Sequence, residues 1–180
     1  MTSGGTPLTL LGETCIRAAS STDAQAIANI YNHYIETTHI SFEESPVSMP
    51  EMAERIAQVQ VTLPWLVASS QDQVLGYAYA TPWRARSAYR FSAETSVYVS
   101  HAHHGKGVGR SLYAALLGEL PKRGIRNVIG GIAQPNQASV VLHEKLGFKK
   151  VAHFSRVGFK FNQWVDVAYW QLELDHVCGP

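Results

Sequence analysis

The sequence predicts an α/β fold in which a mixed, mostly antiparallel central sheet carries helices on both faces. Three features of the chain lead there. Strand-like and helix-like periods alternate along its length, rather than one type running throughout. A strand around Val97 and Val99 runs straight into a glycine-rich turn and a helix striped with Leu112, Leu116 and Leu120. The chain closes on two alternating aromatic and polar segments either side of Asn162-Gln163, the pattern of a hairpin.

Length and composition set the frame. A chain of 180 residues suits one domain with a proper core. Hydrophobic content of 46% and charged content of 16% are those of a soluble globular protein. A net charge of +1, with no cluster of Lys and Arg longer than two, gives no support for a nucleic-acid-binding face. The longest apolar runs fall far short of a membrane span, and the first residues lack a signal-peptide pattern. Residues 1–15 read as a flexible tail, 16–175 as the domain and 176–180 as a second tail. Cys15 and Cys178 stand at opposite ends without CxxC spacing, so they pair only if the termini meet, and a reducing cytoplasm is the expected setting.

The elements follow in order. Ile16 to Ala18 reads as a first strand. Thr22-Asp23-Ala24-Gln25 reads as a capping box, opening a helix whose apolar stripe is Ile27, Ile30, Tyr31, Tyr34 and Ile35. Ser48-Met49-Pro50-Glu51 opens a second helix with Met52, Ile56 and Val59 inward. The stretch between them, Thr37 to Glu44, is either a substrate loop or a solvated connector. Trp65 to Ser70 and Val74 to Ala80 are strands around a Gln71-Asp72 turn. The basic, aromatic segment Pro82 to Arg90 leads into the central strand. Gly124 closes the long helix, Asn127 to Ala133 is a strand, and Ala138 to Leu146 is a short helix ended by Gly147. Lys149 to Phe161 and Trp164 to Leu174 form the hairpin.

The stretch from Glu94 to Tyr113 carries the chemistry. In His104-Gly105-Lys106-Gly107-Val108-Gly109-Arg110 the alternate glycines permit positive φ and leave no β-carbon in the way, so backbone N–H groups converge where a helix N-terminus follows at once. That is a cradle for phosphate oxygens, with Lys106 and Arg110 at its rim. GxxxxGK[ST] is absent, and Arg110 stands where a dinucleotide fingerprint needs its third glycine, so neither nucleotide-binding pattern fits.

The spacing instead resembles the pyrophosphate loop [QR]-x-x-G-x-[GA] of the GNAT N-acetyltransferases, with His104 departing from the first position. A second segment, Asn136 to Phe148, is similar to that superfamily's N-x-x-[AS]-x-x-[LFY]-[YH]-x-x-x-G-[FY] motif. A capped helix explains its leucines, but not Asn136, His143 and Lys145 in one short piece. Three further stretches look like the phosphinothricin and methionine sulfoximine N-acetyltransferases: Tyr89 to Ser100, Leu142 to Phe148, and Gly158-Phe159-Lys160 with Trp164-x-Asp166-Val167-x-x-Trp170-Gln171. The likeness runs from Ile16 to Leu174.

The resemblance implies a sheet whose central strands splay, acetyl-CoA as cosubstrate, a small amino-acid acceptor and a homodimer. The backbone of Val97, Tyr98 and Val99 would pair with the pantetheine arm, and residues 104–110 would take the pyrophosphate. Asn136, in a motif that also holds Ser139, would hydrogen-bond the pantetheine, and Lys145 would reach a CoA phosphate. Glu94 starts the central strand where substrate approaches and could accept the ammonium proton. His143, where many relatives carry a tyrosine, could act as acid or base, or could be a core histidine bonded to backbone. Arg84 and Arg86 offer guanidinium forks for a carboxylate or phosphinate, worth roughly 1.5–3 kcal/mol per charged hydrogen bond. Phe42, Glu43, Trp83 and Tyr98 complete the expected pocket. His101, His103 and His104 lack a matched carboxylate or cysteine, so no metal is expected. The expected reaction is direct acetyl transfer to an α-amine. Acetylation of another amine, and a CoA-binding sensor without turnover, remain open alternatives.

Overall fold

The computed structural model describes residues 9–11 and 14–174. Among these residues eight strands form one sheet in the order β1-β2-β3-β4-β5-β6-β8-β7. They are β1 (Thr9–Leu11), β2 (Thr14–Ala18), β3 (Trp65–Ser70), β4 (Gln73–Pro82), β5 (Ser92–Val99), β6 (Asn127–Gln134), β7 (Lys149–Lys160) and β8 (Gln163–Glu173). Four α-helices cover it: α1 (Ala24–Thr37), α2 (Met49–Gln60), α3 (Val108–Glu119) and α4 (Gln137–Lys145). Only β5 and β6 pair in parallel; every other neighbouring pair is antiparallel. The domain begins earlier than the sequence suggests. Thr9 to Leu11 pairs with Thr14 to Ile16, adding a short strand inside the stretch expected to be tail. Residues 176–180, and with them Cys178, lie outside the described residues; Cys15 is a free thiol.

Two apolar layers sandwich the sheet. On one face α3, with Leu120 at its C-cap, buries Leu112, Leu116 and Leu120 against Ala78, Ala80 and Ala93, small residues that let the helix approach closely. Each such leucine contributes about 1.5–3 kcal/mol. On the other face α1 and α2 bury Ile27, Ile35, Met52 and Ile56 against Trp65, Val67 and Tyr77. The helix starts show how local chemistry sets boundaries. At α2 the Ser48 hydroxyl accepts from Glu51 N at 3.3 Å, as the sequence predicts. At α1 the capping box lies two residues upstream of the expected one: a 3₁₀ turn (Ser21–Asp23) precedes the helix, and Ser20 and Asp23 form the box. Asp23 also accepts two hydrogen bonds from Arg17, at 2.7 and 2.8 Å. Burial raises its pKa, but Arg17 and Ser20 outweigh that and hold it below the usual carboxylate range.

The hairpin turns one residue earlier than expected, at Phe161 and Asn162, both with positive φ (49° and 60°), as a tight two-residue hairpin requires. A bulge between Phe154 and Gly158 breaks the β7 register. Asp166 secures it, accepting from Arg156 N and from His153, each at 2.8 Å, so its role here is structural.

Candidate active site

The site originates in a splayed strand pair. β5 and β6 stay in register only from Ser92↔Asn127 to Glu94↔Ile129. Beyond that point β6 remains paired with β8 as far as Gln134↔Asp166, while β5 continues to Val99 beside β4. From Thr95 onward the β6-facing edge of β5 has therefore lost its ladder. On the α3 side a polar wedge fills the gap. The Tyr113 hydroxyl, on α3, lies 2.5 Å from Thr95 Oγ1 and 3.0 Å from His143 Nε2. His143 Nδ1 is 2.7 Å from the Ser139 carbonyl, which can only accept, so Nδ1 carries the proton and Nε2 accepts from Tyr113. Burial pushes the His143 pKa below the usual imidazole range, with the Ser139 bond opposing it, so the ring is neutral. Phe148 and Tyr113 pack on it edge-on, and Gly130 admits it: a β-carbon at Gly130 would lie 2.5 Å from Nε2.

Below this wedge a cavity of about 400 Å³ runs between β5, the glycine loop and α4. Val97, Val99, His104, Gly105, Gly107 to Arg110, Asn136, Ser139 and Lys145 all line it. Gly105 and Gly107 have φ of 74° and 83°, and an added β-carbon would touch nothing, so it is the left-handed backbone that calls for glycine. Gly107 is the N-cap of α3. Phosphate oxygens placed here meet unpaired helix N–H groups and Arg110, so the residues present fit a pyrophosphate-bearing substrate. His104 lines the cavity but also folds back on the strand, its Nε2 3.0 Å from Val99 O and 2.8 Å from the Tyr34 hydroxyl. The Asn136 side chain caps α4, accepting from Ser139 N at 3.1 Å. The Tyr98 ring packs against Tyr31 and Tyr34 on the α1 side, while its backbone, the part expected to meet the pantetheine, lies along the edge of β5 that β6 leaves. Lys106 borders an adjoining recess with Thr14 and Ser111.

Glu94 sits on the opposite face, at the mouth of the splay. It is half-buried; desolvation raises its pKa and the Arg84 charge opposes that only in part. Arg84 lies over the Trp83 ring at 4.4 Å, and Trp83 meets Tyr169 of β8 edge-on at 5.7 Å. The sequence left Arg84 and Arg86 undivided; both side chains are exposed, and Arg84 is the one whose charge is felt at Glu94. Glu43 is engaged elsewhere, receiving Arg55 at 2.7 and 3.0 Å and the Tyr31 hydroxyl at 2.8 Å, and Arg55 holds its pKa low. Phe42 packs on Gly158. The loop from Thr38 to Ser48 is thus latched down, and the buried Lys160 donates to Ser41 O at 2.6 Å. Burial lowers the Lys160 pKa. Thr95, Tyr113, Tyr169 and Arg55 escaped sequence reasoning. Gly130-Gly131 in mid-strand was the available signal, since adjacent glycines in a strand mark close approach on both faces. Among the described residues no cluster of His, Cys, Asp and Glu could hold a metal ion.

A splayed parallel pair, a glycine cradle at a helix N-terminus and a carboxylate at the strand mouth define an acyl-CoA-dependent transferase site. In keeping with this, the model of the acetyltransferase (GNAT) domain matches residues 16–169, and the chain belongs to that family. More particularly, it is 40% identical over 165 residues to the phosphinothricin N-acetyltransferase of Streptomyces viridochromogenes, covering 92% of this chain and 90% of the relative. It is 37% identical to the L-methionine sulfoximine/L-methionine sulfone acetyltransferase of Salmonella typhimurium, covering 92% and 97%. Among solved structures, a phosphinothricin acetyltransferase from Sinorhizobium meliloti in complex with acetyl-CoA superposes with a TM-score of 0.86 at 35% identity, covering 90% and 89%. No helix among the described residues is long and apolar enough to cross a membrane.

Proposed function

We propose that the protein transfers acetyl from acetyl-CoA to the α-amine of a small amino acid of the phosphinothricin, methionine sulfoximine or methionine sulfone type. The observation that carries this is the Glu94 carboxylate, half-buried, raised in pKa and standing at the mouth of the splay across from the glycine-lined cavity. Glu94 takes a proton from the substrate ammonium, directly or through water. The freed amine attacks the thioester carbonyl carbon and forms the C–N bond, the C–S bond breaks, and the proton shed by the acylated nitrogen goes to the leaving thiolate. Backbone groups released along β5 stand where they can hold the pantetheine and polarise the carbonyl. Arg84 suits the acceptor's carboxylate or phosphinate. Direct transfer fits the position of Cys15, which lies on β2, three strands from β5. The names borne by relatives from Streptomyces and Salmonella support this acceptor class.

We also propose a homodimer formed along β7, an edge strand with Val151, Phe154, Val157 and Phe159 at least half exposed. A free Cys15 suits work in the cytoplasm. The test of function is thiol release from acetyl-CoA across phosphinothricin, methionine sulfoximine, methionine sulfone, ordinary amino acids and spermidine. Saturable turnover confined to the first three supports the reading. Turnover only with spermidine, or acetyl-CoA binding without turnover, overturns it. Light scattering after gel filtration tests the dimer.

A further inference from the structure

Gly131 of β6 pairs with Tyr169 of β8, and both lie on the Glu94 face of the sheet. A β-carbon at Gly131 would lie 3.0 Å from Tyr169 Cε1, 3.5 Å from Cζ and 3.2 Å from Glu94 Oε1. The hydroxyl-bearing edge of Tyr169 and the Glu94 carboxylate therefore converge over the same stretch of bare strand. Neither side chain has a hydrogen-bond partner among the described residues; the Glu94 carboxyl feels only burial and Arg84, and the Tyr169 phenol only burial, Glu94 and Arg84. Trp83 and Phe154 hold the Tyr169 ring between them, each edge-on at 5.7 Å. Burial, then the Glu94 charge, raises the phenol's pKa and keeps it a neutral hydroxyl.

Two acceptors facing one open floor call for a ligand with several donors, and a primary ammonium has three. We infer that Tyr169 is a second amine-binding residue: its hydroxyl oxygen accepts one N–H of the incoming ammonium while Glu94 accepts another, above Gly131. When Glu94 takes its proton, the new lone pair points at the carboxylate and must turn toward the thioester carbon. The bond to Tyr169 remains as the pivot for that turn.

This rests on the proposed acceptor class, and the experiment separates the two. Tyr169→Phe removes one oxygen and keeps the ring. Its expected effect with methionine sulfone is an amine KM raised about tenfold, with the acetyl-CoA dissociation constant and melting temperature unchanged. Gly131→Ala, at a position without positive φ, puts a methyl between the two acceptors and should likewise lower kcat/KM for the amine alone. An amine KM within twofold of the parent in Tyr169→Phe overturns the inference, as does a parallel loss of acetyl-CoA affinity. If the parent protein turns over no amino acid, the acceptor reading fails and this inference falls with it. If the parent is active and Tyr169→Phe is indistinguishable from it, this inference alone fails.

Discussion

The two faces of the splay hold their polar groups in opposite states. On the α3 and α4 side, Thr95, Tyr113, His143 and Ser139 form a closed chain in which the imidazole has both nitrogens engaged. On the α1 and α2 side, Glu94 and Tyr169 face each other with no partner among the described residues. Both faces are partly desolvated, so an unmade hydrogen bond costs more there than in water. We read the satisfied network as scaffold between the parted strands. The unsatisfied acceptors at the mouth of the splay are the groups we propose the substrate engages.

The sharpest way to break this comparison is to neutralise one group on each face. Glu94→Gln should lower kcat by about 10²–10⁴-fold and leave the acetyl-CoA dissociation constant within about twofold. His143→Gln should lower kcat by less than about tenfold while costing about 1–3 kcal/mol of stability, since it strands the Tyr113 hydroxyl in the core. Steady-state kinetics with calorimetric binding and thermal melts read both. Equal kcat losses with unchanged melting would make His143 a proton-transfer group after all.

Adjacent glycines give a second, smaller contrast. Gly130→Ala drives a methyl into the buried His143 ring, at 2.5 Å from Nε2, and should destabilise the fold by about 1–3 kcal/mol. Gly131→Ala meets only the half-exposed Tyr169 and the Glu94 carboxylate, so its melting temperature should stay close to the parent's. Reversal of that order would mean that β6 presents its faces the other way.

Acid separates the faces again. With Glu94 as the proposed proton acceptor and its pKa raised, kcat/KM should climb with pH through a midpoint above the ordinary 4.5. Arg84→Ala removes the charge that opposes the rise and should move that limb to higher pH. Stability should follow His143 instead. Above the unfolded value of 6.5 both states are neutral and the group contributes nothing. As pH falls below it the unfolded chain binds a proton that the buried ring refuses, so stability declines until the lowered folded pKa is reached. In His143→Gln that component of the slope should vanish. The smallest effect belongs to the loop latch. Arg55→Ala leaves Glu43 with the Tyr31 hydroxyl, and both side chains of the lost pair are about one-third exposed (34% and 37%), so the stability loss should stay near 0.5–1 kcal/mol, read as a small fall in melting temperature.

What the sequence determined by itself was what depends on neighbours along the chain. Hydrophobic period marks the helices and strands, Ser48 and Glu51 mark the start of α2, and glycine at residues 105 and 107 marks the left-handed cradle, because φ preference and side-chain spacing are properties of a few consecutive residues. Where a 3₁₀ turn intervened at Ser21, or a turn moved by one residue at Phe161, even local reading slipped. Tertiary structure alone decided which polar groups meet. Glu43 is absorbed by Arg55 twelve residues on, Lys160 reaches Ser41 across most of the chain, and Thr95 finds Tyr113 only because α3 lies over β5. Tyr169 comes to Glu94 because β6 pairs in parallel with β5 on one side and antiparallel with β8 on the other. Register across a sheet is set by the whole packed core, so no window of sequence contains it.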